Sequence, residues 1–207
     1  MEDYELEANK ILMEKFTNGL MNINPKNHDL YISFINSGKM TGVFIAHQEM
    51  FGAFKYGLDL AMTVLCGATL EAEVYATVQD FRGSRGLISP KLLDDNVYYN
   101  WKTLRNDAKT IGIIKDSMIN DVDEIMKYRN LVHFGEKHFK DIINATSLTH
   151  KTLAKSGFNI LKNREEAKAL LEKTQDILVR ILINYINAMS SSYLSYSDLR
   201  SKLWSER

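Results

Sequence analysis

Apolar residues recur at three- and four-residue intervals along most of the chain, the spacing that puts them on one side of an α-helix. Over residues 3–22 the inward set is Tyr4, Ala8, Ile11, Leu12, Phe16 and Leu20, and Asn24-Pro25 breaks the pattern. Residues 28–38 read as a short second helix, with enough β-branched and aromatic side chains that a strand also fits. From Thr41 a longer stripe runs through His47, Met50, Phe51, Phe54, Leu58, Ala61, Met62 and Leu65, and Gly67 is expected to end or bend it. Gly42, Gly52 and Gly57 lower helix propensity in this stretch but leave room for a neighbouring helix. Residues 69–81 continue as helix with Leu70, Val74, Thr77, Val78 and Phe81 inward, and Arg82-Gly-Ser-Arg-Gly86 reads as a loop.

In the second half, Ser89-Pro90 supplies a cap and a first-turn proline. Leu93, Val97, Trp101, Leu104, Ala108 and Ile111 follow as the cleanest amphipathic stripe in the chain. Asn120, with Asp121 and Asp123 in the first turn, predicts another helix start, with Val122, Ile125, Met126, Arg129, Val132 and His133 on its inward side. Residues 139–162 lack a strong period and read as a loop holding at most one helical turn. Asn163-Arg-Glu-Glu166 has the form of a capping box. The helix after it, to about Met189, would bury Leu170, Leu171, Ile177, Leu178, Ile181, Leu182, Tyr185 and Ile186. Ser190–Ser192 is a joint, and Leu199, Leu203 and Trp204 suggest a short docking helix within residues 189–207. No repeat, low-complexity run or linker interrupts this order. The expectation is one all-α domain over residues 1–207, an up-and-down-like bundle of about five to seven helices.

Composition narrows the functions open to such a bundle. Lys+Arg and Asp+Glu both number 26, so there is no global positive field, and any contact with nucleic acid must come from a local patch. One cysteine, Cys66, excludes an intrachain disulfide framework and suits a reducing compartment. The acidic start, Met1-Glu-Asp-Tyr-Glu5, does not resemble a signal peptide, and the most apolar stretch, Val43–Ala68, carries Glu49, Lys55 and Asp59. A soluble, cytoplasmic protein with no membrane contact is expected. Gly38-Lys39-Met40-Thr41 lacks the upstream glycine and strand of a phosphate loop. No His, Cys, Asp or Glu spacing matches a metal site, and no cofactor is implied. His47 sits in an apolar stripe and reads as a core histidine.

Candidate chemistry therefore concentrates in Met126-Lys-Tyr-Arg-Asn-Leu-Val-His-Phe-Gly-Glu-Lys-His138. Arg129 and His133 stand four apart, on one side of a helix. A guanidinium can hold a phosphate bidentately and an imidazole can move a proton near neutral pH. Lys127, Lys137, His138 and Lys140 make the segment locally basic, against Asp116, Asp121, Asp123 and Glu124 before it.

Tyr128-Arg129-Asn130-Leu131-Val132-His133 resembles the Arg-polar-x-x-x-His signature of the HEPN superfamily, and most nearly its abortive-infection type. These are all-α domains of prokaryotic toxins, abortive-infection proteins and CRISPR-associated ribonucleases. The resemblance implies a metal-independent endoribonuclease acting as a homodimer in phage defence or a toxin–antitoxin setting. It assigns catalysis to Arg129, Asn130 and His133 and the RNA path to Lys127, Lys137 and His138. RNA, a second copy, and an antitoxin or sensor protein are the partners it implies. The family usually places four to six residues between Arg and His, whereas three lie between Arg129 and His133. Toxins of the family that are modified by a nucleotidyltransferase carry Tyr two residues after the His, where this chain has Gly135. The alternatives are a catalytically silent module for dimerisation, nucleotide, RNA or partner binding, and a plain structural bundle.

Overall fold

A computed structural model describes residues 3–36, 40–84, 100–126 and 164–190. The described residues form α-helices and short 3-10 turns, with no strand among them, as the apolar period requires. The α-helices are α1 (Asp3–Gly19), α2 (His28–Ile35), α3 (Thr41–Lys55), α4 (Asp59–Ser84), α5 (Trp101–Ile111), α6 (residues 119–126) and α7 (Arg164–Ser190). The proposed docking helix within residues 189–207 and the loop at 139–162 lie outside the described residues.

Local sequence explains most helix ends. After α1, a 3-10 turn Leu20–Asn22 carries the chain to Asn24, whose side chain accepts from the Lys26 amide at 3.1 Å and caps the Pro25–Asn27 turn. The long stripe beginning at Thr41 is two helices, and the break falls at Gly57 rather than Gly67. Gly57 has φ +75°, a left-handed backbone that a Cβ disfavours, and the Leu58 amide closes the turn on the Ala53 carbonyl at 2.8 Å. With the turn made there, α4 runs unbroken through Gly67.

Of the predicted stripe 93–111, with its Ser89-Pro90 start, the part before Asn100 lies outside the described residues. Asn100 is extended (φ −65°, ψ 150°), and its side chain accepts from the Thr103 amide at 2.9 Å, so α5 starts at Trp101. It stops at Gly112, φ +88°.

α7 is the central helix. Residues from Ala167 to Ile186 are buried on several sides, which an amphipathic surface helix would not allow. The contacts along α7 fix the direction of its neighbours. Arg164 meets Asp59, Thr174 meets Cys66 and Tyr185 meets Asp80, so α4 runs parallel to α7. Phe54 meets Arg164 and His47 meets Gln175, so α3 runs antiparallel to α7. Ser117 meets Arg180, and Asp121 and Glu124 both meet Lys173, so α6 also runs antiparallel to α7. α1 packs against α3 and α7, and Gly19 permits its close approach to α7. A Cβ there would lie 2.9 Å from Val179 Cγ1 and 3.1 Å from Ile183 Cδ1.

One apolar cluster joins these elements: Ala8, Leu12 and Phe16 from α1, Met50 and Phe51 from α3, and Met62, Cys66, Leu70, Val74 and Val78 from α4. Leu104, Ile113, Ile114, Met118, Val122 and Ile125 continue it toward Leu178, Ile181 and Leu182 of α7. Burying a Leu, Ile or Phe side chain contributes about 1.5–3 kcal/mol. This shared core holds the bundle together.

Candidate functional site

Arg129, Asn130 and His133, together with Lys127, Lys137 and His138, lie outside the described residues, which end on this side at Met126. The structure does describe the helix that delivers the chain to them. Val122 and Ile125 are fully buried and Met126 is 1 % exposed, the inward face that the sequence period assigns. Two cations fix its outer face. Arg105 Nη1 of α5 donates to both oxygens of Asp123, at 2.7 and 2.5 Å, one nitrogen shared between the two carboxylate oxygens. Lys173 of α7 reaches Glu124 at 2.5 Å and Asp121 at 3.2 Å, and its pKa is raised, chiefly by the Glu124 hydrogen bond. α6 is thus gripped from α5 and α7, and its last described turn lies beside the N-terminal half of α7.

Between α6 and α7 lies an open groove of about 310 Å³ lined by Asp121, Lys173, Asp176, Ile177 and Arg180 among others. Its charges are largely matched within the protein: Lys173 by two carboxylates, and Asp176 by Lys15 at 2.5 Å. Arg180 donates to Ser117 Oγ at 3.2 Å. Such a surface is solvated and paired, without a concentrated field of either sign.

Away from the predicted segment, three groups of polar side chains are buried. His47, fully buried as a core histidine, meets the Gln175 amide nitrogen through Nε2 at 2.7 Å; among the described residues its Nδ1 has no hydrogen-bond partner. Burial, with Lys15 adding to it, lowers its pKa to about 4, so the ring is neutral at physiological pH. Arg82, expected in a solvated loop, lies instead within α4, 5 % exposed and paired with Asp107 of α5.

In the third group the sequence period marks Thr77 and Tyr185 as inward but misses Glu73 and Asp80. Glu73 is 9 % exposed on the α4–α7 seam, and desolvation raises its pKa to about 7. One turn and two turns further along α4 stand Thr77 and Asp80, and Asp80 accepts from the Tyr185 hydroxyl of α7. The signal was present in the helical phase. Glu73 falls three residues after Leu70 and four before Thr77, both on the inward side, so a carboxylate at that position had to be buried. Among the described residues no group of three His, Cys, Asp or Glu is placed to hold a metal ion. Cys66 is buried and its thiol is pushed up to about 12, which makes it a packing residue and not a nucleophile. No described helix is long and apolar enough to cross a membrane.

Comparison of the chain with models of known families, with curated proteins and with solved structures finds no match. The functional reading therefore rests on residues and their chemistry.

Proposed function

We propose that this chain is a HEPN-like, metal-independent endoribonuclease that acts as a homodimer. The observation that supports the proposal is the sequence Arg129-Asn130-Leu131-Val132-His133, which begins three residues after Met126 and continues the three- and four-residue spacing of the buried Val122, Ile125 and Met126 of α6. An all-α bundle is also the architecture the resemblance implies.

Cleavage of RNA without a metal needs a base to take the 2′-hydroxyl proton and an acid to protonate the leaving 5′-oxygen. It also needs a cation for the charge that builds on phosphorus. In the proposal, Arg129 holds the scissile phosphate and His133 transfers the proton. Asn130 orients the imidazole or the phosphate. Two copies about a two-fold axis supply base and acid from opposite protomers. Lys127, Lys137 and His138 line the RNA path. The 2′-oxygen bonds to phosphorus as the bond to the 5′-oxygen breaks, leaving a 2′,3′-cyclic phosphate and a 5′-hydroxyl. A role in phage defence, with an antitoxin or sensor partner, follows from the resemblance alone.

A second reading is favoured by the three-residue Arg–His spacing and the zero net charge. In it the same residues serve a catalytically silent module that dimerises or binds nucleotide, RNA or another protein. One experiment separates the two. Purified protein is incubated with mixed RNA in chelator, beside His133→Ala and Arg129→Ala, and the product ends are mapped. Cyclic phosphate ends from the wild type and their loss from both variants support catalysis. Cleavage that survives His133→Ala, or that requires a divalent metal, rejects it. A folded protein that retains RNA but does not cut it supports the silent module.

A further inference from the structure

We propose that the outer face of the α1–α3 pair is where two copies of this chain associate, about a two-fold axis running parallel to those helices. The inference deepens the homodimer of the proposed function by naming the surface through which it forms, and involves no residue of the segment 127–138.

α1 and α3 run antiparallel and are tied at mid-length by Gln48 Nε2, which donates to Asn9 Oδ1 at 3.0 Å. Leu6 and Met13 lie three residues before and four after Asn9, on the same side of α1; Ile45 lies three before Gln48, on the same side of α3. All three are large apolar side chains in solvent, 66 %, 39 % and 53 % exposed. The antiparallel register sets Met13 level with Ile45, as the neighbouring ring contact between Phe16 and Phe44 (6.0 Å) requires. Gly42, one turn before Ile45, has no atom of the described residues within 4 Å of where a Cβ would stand, so among these residues nothing crowds the α3 side of this face.

The rims of the face carry opposite, unused charges. Lys10 lies four residues after Leu6 and three before Met13, and Glu49 lies four after Ile45. Both are exposed, and among the described residues neither joins an ion pair, whereas Glu7 and Lys55 nearby are bonded to each other at 2.8 Å. A two-fold axis parallel to the helices lays α1 of one copy against α3 of the other at the same height. Met13 then meets the partner's Ile45, Lys10 meets the partner's Glu49, and each contact occurs twice. The helices that meet are antiparallel, so the assembly is a four-helix layer with an apolar centre and a paired polar rim. A surface complementary to an unrelated protein need not complement itself; this one does.

Sedimentation equilibrium of the full chain tests the inference. Wild type is expected to dimerise, and Leu6→Arg and Ile45→Arg, both at exposed positions, to sediment as monomers with unchanged far-ultraviolet dichroism. Lys10→Glu is expected to weaken the dimer about tenfold by setting like charges opposite each other, and Lys10→Glu with Glu49→Lys to restore it. A wild type that stays monomeric at all concentrations overturns the proposal. So does a dimer that ignores Leu6→Arg and Ile45→Arg, including one that dissociates only on substitution within 127–138. A Lys10→Glu variant as tight as wild type overturns the two-fold arrangement.

Discussion

Two buried titratable side chains pull the stability of this protein in opposite directions with pH. His47 titrates near 4 in the folded chain and near 6.5 when unfolded, so between those values the unfolded state binds the extra proton and stability rises with pH. Its full effect, about 3 kcal/mol, is regained above pH 6.5. Glu73 titrates near 7 when folded and near 4.5 when unfolded; over that interval the folded state binds the extra proton, and stability falls as pH rises through 7. Between pH 4.5 and 6.5 the two slopes nearly cancel. Denaturant midpoints measured from pH 4 to 8 should therefore be flat in wild type across that interval. They should fall with pH in His47→Leu and rise in Glu73→Gln, and parallel curves for all three would exclude this account. The ion pairs differ just as sharply by burial. Asp107→Ala removes a carboxylate paired with the buried Arg82 guanidinium and should cost more than about 1 kcal/mol. Asp116→Ala, which removes an exposed partner of Lys109, should stay within about 1 kcal/mol by the same chemical denaturation.

At the scale of elements, the strongest expectation concerns Gly57. Its left-handed φ lets α3 turn into α4, so Gly57→Ala should lower stability by about 1–2 kcal/mol. Gly52→Ala should destabilise for a different reason. The new methyl would stand 2.8 Å from Tyr4 Cε2, and the ring must move off the α1–α3 contact. Thermal unfolding of the two variants measures both. Helix identity was legible because the inward residues of α1, α4, α5 and α7 repeat at 3.6-residue spacing. Of those named from the period and described by the structure, Leu58 and Ala61 are exposed at the α3–α4 turn and the first turn of α4, and the others are buried or pack on the core. Helix boundaries were less so. Gly57 and Gly67 look alike in the sequence, and only the turn closed by Leu58 on Ala53 distinguishes them. Asn100 reads as one more polar residue on an amphipathic stripe until its extended backbone makes it a cap. Arg82 was misplaced because a Gly-Ser-Arg-Gly string signals a loop, while the carboxylate that holds it lies 25 residues away on α5.

For the whole molecule, the α-helical bundle was readable and its directions were not. A period shows that a helix has an inward side, but not which helix covers it, and the parallel run of α4 beside α7 came only from contacts such as Asp80 with Tyr185. The chemistry of Arg129 and His133 stays with the sequence, since the described residues stop at Met126. With no net charge to hold RNA at long range, the proposed ribonuclease must bind through a few local cations. Lys127→Ala and Lys137→Ala should each reduce the slope of log affinity against log salt by about 0.7 for single-stranded RNA. A slope unchanged by both would remove these lysines from the RNA path.

The central position of α7 also governs the order in which the molecule can assemble. Its partners lie far back in the chain: Asp176 meets Lys15 across 161 residues and Arg164 meets Asp59 across 105. Contacts of that span close large loops and form slowly, whereas α1, α3 and α4 all lie within the first 84 residues and meet early. Until α7 docks, that early layer carries an open apolar trough along Met62, Cys66 and Leu70. A fragment of residues 1–84 is therefore expected to be weakly helical and to associate with itself. Adding a peptide of residues 164–190 should raise its helicity by circular dichroism, because the strip that closes the trough is supplied from outside the fragment.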